Sequence, residues 1–228
     1  MTEALRALHD CLSAEADLHG SLVPLEPPKS FGQQIMTLVD PVHPVQTLFS
    51  LDTLREYLTS SVLTSIDTQR TQPVFGEGNP RASIMLVGEA PGAEEDLTGR
   101  PFVGRAGQLL DKMLAAIELT RSEIYIANIL KTRPPNNRDP LPEEISAHLP
   151  ILYRQMSLIQ PRFILCLGRI AAQTLLGCST PLGKLRGQKH PYHGATLLAT
   201  YHPAALLRNQ NWKRPAWEDL KLLRHLAA

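Results

Sequence analysis

Ile84-Met-Leu-Val-Gly88-Glu-Ala-Pro-Gly92-Ala-Glu-Glu-Asp96 is the stretch on which the reading of the fold turns. Four apolar residues in a row, stopped by a glycine, describe a strand covered on both faces, because a half-exposed strand would alternate with polar residues. Two glycines and a proline then make a rigid loop whose backbone can approach a ligand closely. The same order of strand and helix recurs downstream. Leu109, Leu110, Met113, Leu114 and Ile117 fall at helical spacing, and Ile124-Tyr-Ile126 reads as a second strand. Pro142-Glu-Glu opens a helix running to about Gln160, with a proline and acids in its first turn. Phe163-Ile-Leu-Cys-Leu167 is a third strand, and Arg169–Leu176 a helix stopped by Gly177. Leu197-Leu-Ala199 leads into Tyr201 as a fourth strand, and residues 216–226 form a closing helix. This alternation predicts a three-layer α/β/α domain around a central four-stranded parallel sheet. Ligands of such sheets sit beyond the carboxyl ends of the strands, here Gly88, Asn128, Gly168 and His202.

The domain begins near residue 51 and runs to 228. Ahead of it, Leu5, Leu8, Cys11 and Leu12 mark a short amphipathic helix within residues 2–17. Pro24, Pro27, Pro28, Pro41 and Pro44 follow, and each removes a donor and fixes φ. Residues 1–50 therefore read as an arm and linker. Its apolar anchors (Leu38, Val39, Leu48, Phe49) are expected to pack on its own domain, with a protein partner as the other use. Gln46-Thr-Leu-Phe49-Ser-Leu51 bears a faint likeness to the peptides that bind bacterial sliding clamps.

Lys plus Arg is 23 against 22 Asp plus Glu, which excludes a uniformly basic binder; affinity for nucleic acid must come from local patches. Three scattered cysteines (Cys11, Cys166, Cys178) argue against a disulfide scaffold and fit a reducing compartment. No leader or apolar stretch of membrane-spanning length is found, so a soluble, cytoplasmic monomer is expected.

Several residues at the strand ends suit chemistry. The first loop carries Glu89, Glu94, Glu95 and Asp96, and an aromatic, Phe102, between Pro101 and Gly104, where a core residue is less expected. It lacks the Gly-Lys-Ser/Thr of a phosphate loop. Asn128 offers a donor and an acceptor, which suits reading the edge of a base and equally suits capping a turn. His202-Pro-Ala-Ala-Leu206-Leu207-Arg208 combines an imidazole with an apolar tip and a cation, the combination needed to enter a base stack while holding phosphate. Cations gather at Lys131, Arg133 and Arg138, at Lys184, Arg186 and Lys189, and at Arg208, Lys213 and Arg214. Gathered on one face, they would make it basic.

Gly88-Glu-Ala-Pro-Gly92, Thr98-Gly-Arg-Pro-Phe102-Val-Gly104, Asn128 ahead of Lys131-Thr-Arg-Pro-Pro135, and His202-Pro-Ala-Ala-Leu-Leu-Arg208 together resemble the family 4 uracil-DNA glycosylases. The resemblance runs from about Val74 to the C-terminus with order and spacing kept. It implies an enzyme that takes uracil out of the duplex and releases it, leaving an abasic site. On that resemblance Phe102 stacks on the base, Asn128 pairs with its N3–H and O4, and His202 stabilises the charge developing on O2. Glu95 positions and activates water, while Glu89 and the Gly88, Ala90, Pro91 and Gly92 backbone shape the pocket. Lys131, Arg133, Arg186, Leu206, Leu207 and Arg208 contact DNA.

The sequence departs from the family at one place. The resemblance implies a [4Fe–4S] cluster on four cysteines, but alignment puts Ser61, Thr64, Thr132 and His148 there, and such clusters need thiolates. No cluster and no catalytic metal are expected. The main alternative is an inactive relative kept as an accessory subunit of a replication or repair assembly. A Mg²⁺ phosphoesterase built on the first-loop carboxylates is disfavoured, since the other strand ends offer amide and imidazole. A covalently trapped uracil binder is disfavoured too, since Leu185-Arg-Gly-Gln-Lys-His190 lacks the Lys-Arg-Arg-Ile-His insert expected of it.

Overall fold

The computed structural model describes residues 29–227. Its sheet has six strands: β1 (Glu77–Gly78), β2 (Ile84–Gly88), β3 (Tyr125–Asn128), β4 (Phe163–Leu167), β5 (His190–Tyr192) and β6 (Ala195–Thr200). They lie in the order β1-β3-β2-β4-β6-β5. The inner four are parallel, as the alternation predicts, and pair Val87 with Ala127 and with Cys166, and Cys166 with Ala199. The two outer strands are antiparallel additions that the apolar runs did not announce.

Nine helices cover this sheet among the described residues: α1 (Phe31–Met36), α2 (Leu51–Ser60), α3 (Ala93–Thr98), α4 (Arg105–Ala116), α5 (Pro142–Ile159), α6 (Arg169–Leu176), α7 (Leu182–Leu185), α8 (Pro203–Arg208) and α9 (Lys213–Ala227). Period-two alternation in β2 divides the core. Met85 and Val87 join Ile151 and Leu152 of α5 and Ala171 and Ala172 of α6 on one side. Ile84 and Leu86 join Leu110 and Leu114 of α4 and Leu220 and Leu223 of α9 on the other. The result is the expected three-layer arrangement.

The amphipathic helix expected within residues 2–17 lies outside the described residues. What is described of residues 1–50 is less extended than expected. Ser30 caps α1, and Ile35, Val39 and Val45 are buried in the same cluster as α5. Each such side chain stabilises by about 1.5–3 kcal/mol, so this segment is part of the packing of the domain. Of the expected anchors, Val39 is buried and Leu48 partly so, while Leu38 and Phe49 are exposed. In the stretch that bears the clamp-peptide likeness, Gln46 Nε2 donates to the Met36 and Val39 carbonyls, and Arg154 Nε holds the Leu48 carbonyl.

Candidate active site

The carboxyl ends of β2, β3 and β6 open onto one cavity of about 390 Å³. The loop after β2 contributes Glu89, Ala90, Pro91 and Gly92, followed by Glu95 and Phe102; β3 contributes Asn128, and the chain after β6 contributes His202 and Arg208. Residues scattered over more than a hundred positions thus share a volume of the size that holds a nucleobase with solvent.

Asn128 is 2% exposed, and its Oδ1 is buried without a hydrogen-bond partner. Such an acceptor costs about 1–3 kcal/mol unless a ligand satisfies it. Gly88 is there because nothing larger fits: a Cβ would lie 2.2 Å from Asn128 Oδ1 and 2.6 Å from the Phe102 ring. Phe102 stands with its ring centroid 5.5 Å from that of His202. Its φ of 55° lies in the left-handed region, which costs a non-glycine residue about 1–2 kcal/mol. Arg121 offsets that strain. Its guanidinium donates to the Pro101 and Phe102 carbonyls and is held by Glu77 at 2.7 Å and Asp111 at 2.6 Å. No motif in the sequence pointed to Arg121, because its partners come from β1, α4 and the Phe102 turn.

His202 precedes α8, and its Nδ1 accepts the Ala204 N–H at 3.2 Å. The proton of the neutral ring is therefore on Nε2. Burial and the nearby Arg208 pull the imidazole down to about 4, so the ring is neutral at neutral pH.

The two catalytic carboxylates expected from the first loop differ sharply. Glu95 Oε1 accepts the Val103 and Gly104 amides at 2.9 and 3.0 Å, and Oε2 accepts the Gly92 amide at 3.1 Å. Glu95, expected to activate water, lines the cavity and has both its oxygens engaged in closing the loop around α3. Glu89 makes no side-chain hydrogen bond among the described residues, and burial holds its carboxyl above the usual range, reinforced by Asp139 and opposed by Arg169.

The expected DNA contacts divide. Leu207 and Arg208 are exposed, whereas Leu206 is 2% exposed and packs with Ala216 and Leu220 of α9, so the apolar tip is one leucine. Lys131 is wholly buried and cannot touch phosphate: its Nζ donates to the Asn128 carbonyl at 2.9 Å and to Gln155 Oε1 at 2.7 Å. Burial lowers it to about 7. Arg186 is spent on Asp219, which also takes the Thr200 hydroxyl at the end of β6. Arg133 lies outside the cavity and donates to Asn137 Oδ1. Arg138, five residues later, does line the cavity while paired with Glu144 of α5.

The four positions implied for cluster ligands do not fit one. Ser61, Thr64, Thr132 and His148 offer hydroxyls and one imidazole, and the carboxylate of Asp67 sits among them, taking the Thr64 amide and the Thr132 hydroxyl. Cys166 is buried in β4 and Cys178 lies beyond α6. Among the described residues no group of three His, Cys, Asp or Glu could hold a metal ion.

A profile of the Uracil DNA glycosylase superfamily matches residues 75–221, and the chain belongs to that superfamily. Within it, the chain is 41% identical over 185 residues to a type-4 uracil-DNA glycosylase of Archaeoglobus fulgidus, an alignment covering 78% of this chain and 93% of that one. It is 42% identical over 187 residues to a type-4 uracil-DNA glycosylase of Sulfurisphaera tokodaii, covering 78% and 85%. A third protein of that name, from Thermotoga maritima, is 44% identical over 156 residues, covering 67% and 81%.

Proposed function

We propose that this chain is a uracil-DNA glycosylase, hydrolysing the bond between C1′ and N1 of a deoxyuridine rotated out of DNA. The observation that carries the reading is the unpaired Asn128 Oδ1, held beside Phe102 in the cavity. Uracil satisfies it: N3–H donates to Oδ1 while the amide Nδ2 donates to O4. Cytosine, with a lone pair at N3, meets that oxygen with repulsion. An inactive accessory subunit would have no use for so costly an unpaired acceptor.

The remaining groups take roles that follow from their environments. The Phe102 ring offers a face for the extruded pyrimidine, repaying part of the unstacking of a few kcal/mol. Nε2–H of the neutral His202 donates to O2, where negative charge gathers as the C1′–N1 electrons pass to the base. Water adds to C1′ from the other side and gives its proton to Glu89, whose raised affinity for protons suits a general base. Glu95 holds the loop that carries Glu89 and Phe102. Leu207 and Arg208 face the duplex, one beside the vacated position and the other at phosphate. The products are free uracil and an abasic site.

The test is an oligonucleotide with a single deoxyuridine, incubated with the protein and then treated with alkali. Cleavage at the uracil is expected, undiminished by EDTA, with a cytosine control intact; binding without cleavage identifies the accessory subunit instead.

A further inference from the structure

Beside the cavity, three segments distant in sequence are tied through one carboxylate. Asp67, in the turn after α2, has a fully buried side chain. Its Oδ2 accepts the Leu63 and Thr64 amides, both at 2.8 Å, and its Oδ1 accepts from Thr132 Oγ1 and from Arg70 Nη1 at 2.9 Å. Arg70 is almost as deeply placed. It also donates to Thr132 Oγ1 and to the carbonyls of Leu58 and Ser61, which the end of α2 leaves open. From α5, His148 accepts the Lys131 amide on Nδ1, so its proton is on Nε2, 3.7 Å from Asp67 Oδ1.

The four positions at which alignment with the family places cluster ligands are the four points this knot touches. Ser61 is held by its carbonyl, Thr64 by its amide, Thr132 by its hydroxyl, and His148 stands beside the carboxylate. A cluster joins such points through thiolates bound to iron; here a buried carboxylate and a guanidinium join them through hydrogen bonds. A buried ion pair so fully hydrogen-bonded is costly to break, because the surviving partner is stranded without water. We propose that the Asp67–Arg70 knot takes over the fastening role of an iron–sulfur cluster in this chain, so that its folding and stability are independent of iron. The loop it secures continues through Pro134, Asn137 and Arg138 to form one wall of the cavity. This inference rests on membership of the family and on the residues of the knot, not on uracil release.

The experiment compares full-length protein produced in iron-replete and iron-depleted medium, with iron content, absorbance near 400 nm and melting temperature as readouts. Asp67→Ala and Thr132→Val are measured alongside. The expected wild type is colourless and iron-free, with the same melting temperature from both media. Asp67→Ala is expected to melt about 10 °C lower and Thr132→Val about 3 °C lower, with hydrogen exchange of the Leu63 and Thr64 amides accelerated in Asp67→Ala. Should Asp67→Ala yield no soluble protein, Thr132→Val decides. Stoichiometric iron, a melting temperature that falls on iron depletion, or an unchanged melting temperature in the soluble variants overturns the inference. None of these readouts measures uracil release, so the failure of this proposal and the failure of the glycosylase reading are separately visible.

Discussion

Two polar regions share the loop after β3 and treat hydrogen bonds in opposite ways. Around Asp67, a buried carboxylate takes two amides, a hydroxyl and a guanidinium, and nothing it needs comes from outside. At the cavity, Asn128 Oδ1 is equally hidden and has no partner, Glu89 has none for its side chain among the described residues, and Phe102 is held in a strained conformation. The carboxylate of Asp67 is satisfied and fixes the chain, although Thr64 Oγ1 and His148 Nε2 beside it have no partner; the unpaired acceptor of Asn128 differs from these in facing the cavity. The contrast also separates the two carboxylates of the first loop. Glu95 belongs with Asp67 as a fastener, and Glu89 belongs with Asn128.

The comparison is easiest to break at Asn128. Asn128→Ala is expected to lower kcat/KM for uracil release about 1000-fold while leaving the melting temperature unchanged or higher, since an unpaired buried acceptor is removed. A large loss of stability there would make Asn128 a structural residue like Asp67. Next comes the carboxylate pair. Glu89→Gln is expected to cost on the order of 100-fold in kcat with no change in melting temperature. Glu95→Gln, which weakens the loop closure, is expected to melt about 3–6 °C lower. The reverse pattern would return the base to Glu95.

The pH profile sharpens the same point. Glu89 must be ionised to accept a proton, and burial raises its pKa above 4.5, so activity rises with pH through that raised value. His202, lowered to about 4, stays neutral between about pH 5 and 8 and adds no limb in that range. Replacing Glu89 by Gln is expected to flatten the acid limb of kcat/KM; a limb surviving unchanged points to another group. The smallest effect is expected at the rim, where Leu207→Ser lowers affinity for duplex DNA on the order of threefold.

The four parallel strands were legible because each is a short apolar run ending in a polar residue or glycine. The edge strands were not: β1 is two residues long, and β5 has a proline at its centre, which only an edge tolerates. Helix α3 hid inside a glycine-bounded acidic loop with no apolar face to reveal it. Of the residues that the β/α alternation places at strand ends, Glu89, Glu95, Asn128 and His202 line the cavity, whereas Glu94 and Asp96 do not. The misreadings were of side chains whose surroundings come from afar. Lys131 reads as a surface cation until Gln155, 24 positions on, takes its ammonium. Leu206 reads as an exposed tip until α9 covers it. Glu95 reads as the group that activates water, and the sequence did not show that three amides also engage it, two of them eight and nine residues later.

The ring of His202 begins α8 as well as facing the cavity, because its inner nitrogen takes the Ala204 amide. The spacing from the end of β6 to Pro203 is thereby frozen: adding or deleting one residue would rotate the imidazole and shift the helix start in the same stroke. For anyone altering the reach of this enzyme along DNA, insertions do not belong ahead of Pro203, nor directly after Asn209, whose side chain takes the Asn211 amide at the start of the next helical turn.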